Sequence, residues 1–123
     1  MAMDEQAYRA FCEAWLGAWT GNAPEKLLEY YTDDVFYRDP ARPDGLRGKE
    51  ALRGYLVRLL AAYPDWRWMP EEIMPTAKGF TLKWRAEIPI KGQTVQEYGL
   101  DIVELRDGKI SRNEVYFDPG RMA

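Results

Sequence analysis

Acid–base chemistry in this chain has to come from carboxylates, tyrosines or lysines. The sequence holds no histidine and a single cysteine, Cys12. Ser-His-Asp and Cys-His nucleophiles and His-ligated zinc are thereby excluded, as are an intrachain disulfide and a thiolate cluster. Cys12 shares a helical stripe with Tyr8, Phe11, Trp15 and Trp19, the spacing of a packed side chain rather than a reactive one. Among the carboxylates, Asp101 is the one whose surroundings the strand pattern constrains, and the hairpin that follows decides what faces it.

Two registers are open at Asp107-Gly108. A two-residue loop pairs Arg106 with Lys109 and sets Asp101 opposite Glu114, which gathers Glu97, Asp101, Glu114 and Asp118 on one face. A three-residue loop, with Gly108 in the left-handed conformation, pairs Leu105 with Lys109. Asp101 then faces Asn113, on a face shared with Glu97, Gly99, Val115 and Phe117. Like charges oppose each other in the first register, so the second is preferred. A carboxyl among apolar residues with one amide neighbour has its pKa raised by desolvation, which suits a proton donor. The same placement also reads as an aspartate bonded to its neighbour for structure alone.

The elements that must position these groups follow from periodicity. A first helix is expected over 5–20 and a short second one from Pro24, burying Leu27, Leu28 and Tyr31. Asp33-Asp34 is expected to end that helix before a short strand, Val35 to Asp39, and 41–48 reads as a loop. A third helix spans Lys49 to Tyr63 and carries Leu52, Tyr55, Leu56, Leu59 and Tyr63 on its apolar face. After Pro64 the chain reads as strand. Trp66 and Trp68 alternate with polar neighbours before Pro70, and Phe80, Leu82, Trp84, Ala86 and Ile88 form the clearest period of two. Strands then run from Thr94 to Leu105 and from Ile110 to Asp118. Helices first and a strand meander afterwards give an α+β class with the helices on one face of the sheet.

Composition narrows the partners. The 123 residues suit one domain; 46% are hydrophobic and 30% charged, and the net charge is −3 with both signs interspersed. No basic stripe is present to neutralise a phosphate backbone, so nucleic acid is not an expected partner. No apolar run is long enough to cross a membrane, and the N-terminus lacks the pattern of a signal peptide, so the expected location is the cytoplasm.

Five short motifs in order carry a family likeness. They are Tyr30-Tyr31-Thr32-Asp33-Asp34-Val35-Phe36-Tyr37-Arg38-Asp39-Pro40, Gly45-Leu46-Arg47-Gly48, Tyr63-Pro64-Asp65, Asp107-Gly108-Lys109-Ile110 and Tyr116-Phe117-Asp118. Together they resemble the nuclear transport factor 2-like superfamily, and within it the SnoaL-like polyketide cyclase and ketosteroid isomerase branch. The resemblance spans essentially the whole chain. It implies a single cone-shaped domain, a curved mixed or antiparallel sheet wrapped by three N-terminal helices around a pocket. It places Asp39, just before Pro40, on the general base of ketosteroid isomerases, and Asp101, nine residues after Gly92, on their protonated acid. Their oxyanion tyrosine falls on Trp15, which offers an indole N–H instead of a phenol. Tyr55, Leu82, Trp84, Ala86, Val115 and Phe117 fall on pocket-lining positions.

The expectation that results is an isomerase or cyclase acting on a small apolar or aromatic carbonyl-containing ligand, with no cofactor and no metal. Asp39 would take a proton from carbon next to a carbonyl while Asp101 and Trp15 hold the oxyanion, with Asn113 beside Asp101. The alternative is a non-catalytic ligand-binding or dimeric scaffold domain, with Asp39 capping a turn and Asp101 bonded to Asn113. The sheet face opposite Asp101 is expected to carry Tyr98, Leu100, Ile102, Ile110 and Tyr116 as the interface of a homodimer.

Overall fold

Asp4 opens the first helix. Its carboxylate accepts the Ala7 amide at 2.8 Å and satisfies one of the free donors of α1 (Glu5–Gly17). The computed structural model describes residues 4–118. Pro24 starts α2 (Pro24–Leu28), where its missing N–H costs nothing. The remaining elements are β1 (Tyr31–Asp39), β2 (Arg42–Arg47), α3 (Lys49–Ala62), β3 (Arg67–Pro75), β4 (Gly79–Ile90), β5 (Gln93–Arg106) and β6 (Lys109–Tyr116). They give an α+β domain whose six-stranded sheet has the order β2-β1-β6-β5-β4-β3. The sheet is mixed, because β1 pairs with β6 in parallel while every other pair is antiparallel. No helix among the described residues is long and apolar enough to cross a membrane.

Several boundaries differ from the sequence expectation, each for a local reason. Helix α1 stops at Gly17 rather than near residue 20, and a turn leads through Asn22, whose φ is 55°. Strand β1 begins at Tyr31, so Asp33-Asp34 lies inside it, exposed across an irregularity in its pairing with β6. The expected loop over 41–48 contains β2, a sheet edge on which Pro43 and Gly45 are tolerated. Pro70 does not stop β3 either; β3 is the opposite edge, and its register slips between Pro70 and Glu72.

The last hairpin follows neither expected register. Asp107 (φ 54°) and Gly108 (φ 79°) form a two-residue turn that pairs Arg106 with Lys109 and Leu105 with Ile110. Ser111 is then bulged out, its hydroxyl donating to the Glu104 carbonyl at 3.2 Å, and Glu104 pairs with Arg112. From there Val103 faces Asn113, and Asp101 faces Val115. The bulge keeps Asn113 and Val115 on the Asp101 face and sends Glu114 outward opposite Ile102. The two-residue turn, by pairing Ile110 with Leu105, points Ile110 inward, where it is fully buried, which corrects its expected place on the outer face.

The core lies between the helices and the inner sheet face. Trp15, Leu16, Leu27, Leu28, Leu52, Leu56 and Leu60 from the helices meet Tyr31, Tyr37, Leu82, Ala86, Ile88 and Val103 from the strands. Tyr63, expected on the apolar face of α3, is 42% exposed just past its end.

Candidate active site

A cavity of ≈ 350 Å³ lies between α1, α3 and the inner sheet face, within the ~300–1,000 Å³ usual for small-molecule sites. Aromatic side chains dominate its wall, and two aspartates, Asp39 and Asp101, are set into it.

Asp101 is held from two sides. Trp84 Nε1 donates to Oδ1 at 2.8 Å, and Asn113 Nδ2 donates to Oδ2 at 2.9 Å. The indole reaches it because residue 99 is glycine: a Cβ there would overlap the Trp84 ring, which lies across Gly99 on the neighbouring strand. The orientation of Asn113 is fixed further back. Trp15 Nε1 donates to Tyr31 Oη at 3.1 Å, and Tyr31 donates to Asn113 Oδ1 at 3.0 Å. An indole N–H has no acceptor capacity, so the phenol must pass its own proton to Asn113, whose amide then turns its NH₂ to Asp101. Burial pushes the Asp101 carboxyl up to about 7; the Asn113 and Trp84 hydrogen bonds pull it down, and the charge of Asp39 pushes it further up. A carboxylate has about four acceptor sites, and Asp101 uses two of them on protein donors.

Asp39 closes β1 in a different environment. Its Oδ1 accepts the backbone amides of Ala41 (2.9 Å) and Arg42 (3.0 Å), an aspartate turn at the corner into β2. Its Oδ2 accepts the phenols of Tyr37 (2.7 Å) and Tyr55 (2.6 Å). Burial, with the Asp39 carboxylate beside them, raises both phenol pKa values, so these groups remain donors. All four acceptor sites of Asp39 are engaged.

Of the residues expected at the site, Asp39, Asp101, Tyr55, Trp84, Val115 and Phe117 line the cavity. Trp15, Leu82, Ala86 and Asn113 are fully buried behind its wall, Leu82 directly across β4 from Asp101 and Ala86 across from Glu97. The Trp15 N–H, expected to meet an oxyanion, is given to Tyr31. Sequence reasoning missed Tyr37, Trp19, Trp66 and Trp68 as lining residues. Trp19 sits one helical turn beyond Trp15 on the same stripe, and Trp66 and Trp68 alternate toward one face, so a signal was present for these three. Trp19 Nε1 is buried with no hydrogen-bond partner among the described residues. Cys12 is fully buried in the core, and burial pushes its thiol up to about 12. Among the described residues no group of three or more Cys, Asp or Glu side chains is placed to hold a metal ion.

A family model described as SnoaL-like domain matches residues 9–113. No curated protein matches the chain in sequence. Solved structures match it in fold. A protein of Jannaschia sp. CCS1, named as a SnoaL-like polyketide cyclase, superposes with a TM-score of 0.77 at 12% identity, covering 99% of this chain and 94% of the other. A Catenulispora acidiphila protein of ketosteroid isomerase-like fold, in complex with trimethylamine, gives 0.74 at 22% identity over 86% of this chain and 83% of that one. An epoxide hydrolase of Mycobacterium tuberculosis gives 0.73 at 20% identity over 94% and 85%.

Proposed function

The chain belongs to the SnoaL-like domain family, of nuclear transport factor 2-like fold, whose members include cyclases, isomerases and epoxide hydrolases, and on that footing we propose that it is a cofactor-independent enzyme that moves a proton at carbon next to a carbonyl. Asp101 is the group that takes the proton and returns it. The C–H electron pair shifts onto the carbonyl oxygen as an enolate, and the proton goes back to a second carbon, so atoms and charge balance. The observation that carries this reading is the carboxyl itself: Asp101 is 3% exposed, set in the wall of an aromatic cavity, with two of its acceptor sites not taken by the protein. Burial pushes its carboxyl up to about 7, the range that suits a general base near neutrality. Asp39, with four donors on it, anchors Tyr37 and Tyr55.

The test is α-proton exchange in deuterated water, followed by NMR across a panel of aromatic and polycyclic enones. Wild type should exchange at least one of them, and Asp101→Asn should lose on the order of a hundredfold. With Asp101 as base, kcat/KM rises with pH through about 7. If Asp39 is the base and protonated Asp101 the donor, the rate falls over the same range. A second reading, non-catalytic ligand binding, is favoured by the turn that Asp39 caps through Ala41 and Arg42. Binding without exchange across the panel decides for it.

We also propose a homodimer packed through the outer sheet face, where Tyr98, Leu100 and Tyr116 are exposed together. Light scattering at micromolar concentration should return twice the chain mass, and the monomer mass would overturn it.

A further inference from the structure

Six rings form one continuous wall along the cavity. Tyr55 and Tyr37 are 5.9 Å apart, Tyr37 and Trp19 6.3 Å, Trp19 and Trp68 5.9 Å, Trp68 and Trp66 6.0 Å, and Trp66 and Tyr63 4.2 Å, centre to centre. The wall begins at Asp39, to which both Tyr37 and Tyr55 donate, and ends at the exposed Tyr63. A phenol that donates a hydrogen bond to a carboxylate gains some electron density on its ring, so these two faces become stronger acceptors of positive charge. One cation of the protein already uses the wall: the Arg42 guanidinium lies 5.1 Å from the centre of the Tyr55 ring. Asp101 is set into the same cavity beside the Trp84–Phe117 pair, whose rings meet edge-on at 5.8 Å. Among the described residues no lysine or arginine lines the cavity.

The potential inside is therefore negative. Ring faces and two acidic side chains contribute, no positive side chain is among the lining residues, and the Arg42 guanidinium over Tyr55 offsets part of the field at the Asp39 end. A neutral carbonyl compound would gain the apolar area but nothing from this field. An anion would meet acidic side chains and ring faces, with no cation among the lining residues to receive it. We propose that the cavity selects a cation, a small molecule with an alkylated ammonium head that packs against the six-ring wall between Asp39 and Asp101. The inference rests on the reading of this cavity as the small-molecule site and adds the charge of the molecule it takes.

Tryptophan fluorescence titration with matched probes tests it. Benzyltrimethylammonium should bind, and benzoate should not. Choline should bind at least tenfold more tightly than its uncharged carbon isostere, 3,3-dimethylbutan-1-ol. Asp101→Asn, nearly isosteric, should cut the ammonium affinity several-fold and leave the isostere unchanged. Trp68→Tyr keeps a ring in the wall and should retain the ammonium preference, whereas Trp68→Leu should lose most of it. Equal or tighter binding of the uncharged isostere, or binding of benzoate in preference to the ammonium, overturns the inference. The proton-transfer reading fails separately. Enone exchange with no ammonium preference leaves that reading standing and this inference overturned, and ammonium preference without exchange does the reverse.

Discussion

Asp39 and Asp101 line one cavity, and both are nearly inaccessible to bulk water, 5% and 3% exposed. They differ in the number and kind of donors that reach them. Asp39 sits where a strand turns a corner, so two backbone amides point at it, and two phenols from β1 and α3 complete its shell. Asp101 sits mid-strand, where the backbone amides belong to the ladder and only side chains can approach; Trp84 and Asn113 do so. A buried carboxylate with a full set of donors is structural, since removing its charge leaves several groups without a partner. One with half a set keeps acceptor capacity for a ligand and is pushed by desolvation toward the pH at which proton transfer is useful.

The largest effect that bears on this contrast is expected at the corner. Asp39→Ala leaves four donors without an acceptor. The amides of Ala41 and Arg42 lie at an exposed turn and can turn to water, but the Tyr37 phenol, 2% exposed, cannot. The expected loss is about 2–4 kcal/mol of stability, read from denaturant unfolding. Asp39→Asn should lose less, because its carbonyl keeps the turn, although its NH₂ takes the acceptor from the Tyr37 and Tyr55 hydroxyls. A loss under about 1 kcal/mol in the alanine variant would remove the structural assignment.

At Asp101 a near-isosteric change should give a smaller, pH-dependent effect. In Asp101→Asn the new amide has one acceptor for two fixed donors, so its NH₂ would meet either Trp84 or Asn113, at a cost of about 1–3 kcal/mol. Wild type behaves oppositely with pH. Its carboxyl is raised from 3.8 to about 7, so across that window the folded state binds more protons than the unfolded one. Wild-type stability from this group is complete below the unfolded value and is lost as pH rises through about 7. The Asp101→Asn variant should therefore melt well below wild type at pH 5, with the gap closing by pH 8. A gap that widens over that range would mean that Asp101 is stabilised as the ion.

Gly99→Ala probes the same group from the next strand. The added methyl overlaps the Trp84 indole and pushes its N–H off Asp101, which removes one of the two donors that lower the carboxyl. The midpoint of the pH–rate profile should move up, with a stability loss of about 1–3 kcal/mol from the crowding. An unmoved midpoint would show that Trp84 does not tune Asp101.

Much of this was legible in the residues, and what was not has physical causes. The strict alternation from Phe80 to Ile88 gave β4 almost residue by residue. The face shared by Asp101, Asn113, Val115 and Phe117 followed from period two, but the pairing did not, because a two-residue turn followed by a bulge brings the same residues inward as a three-residue loop while shifting their partners by two. The trace it leaves in sequence is a break in period, with Ile110 and then Asn113 both inward. Pro43 and Gly45 marked a loop because they weaken a strand interior, yet at a sheet edge neither is disqualifying. The helical stripe showed that Trp15 is buried. It could not show that its N–H goes to Tyr31, sixteen residues on and in another element.

That last bond sets up the smallest of the expected effects. In wild type the indole donor fills the acceptor side of the Tyr31 hydroxyl, so the hydroxyl must donate to Asn113, and Asn113 must donate to Asp101. Were the Asn113 amide to rotate, its NH₂ and the Trp15 N–H would both point at Tyr31, whose own proton, in a fully buried side chain, would lose its acceptor. Trp15→Phe removes the donor that forbids this rotation and keeps a ring in the core. Asn113 can then present its carbonyl to a protonated Asp101, which favours the neutral acid and moves the carboxyl further up. The expected result is a rise in the midpoint of the pH–rate profile with the plateau rate nearly kept, since Trp15 does not line the cavity. A direct oxyanion donor at Trp15 would behave differently: its loss would lower the plateau and leave the midpoint in place. Separating plateau from midpoint in this one variant thus tests whether Trp15 acts on the ligand or only on the orientation of Asn113.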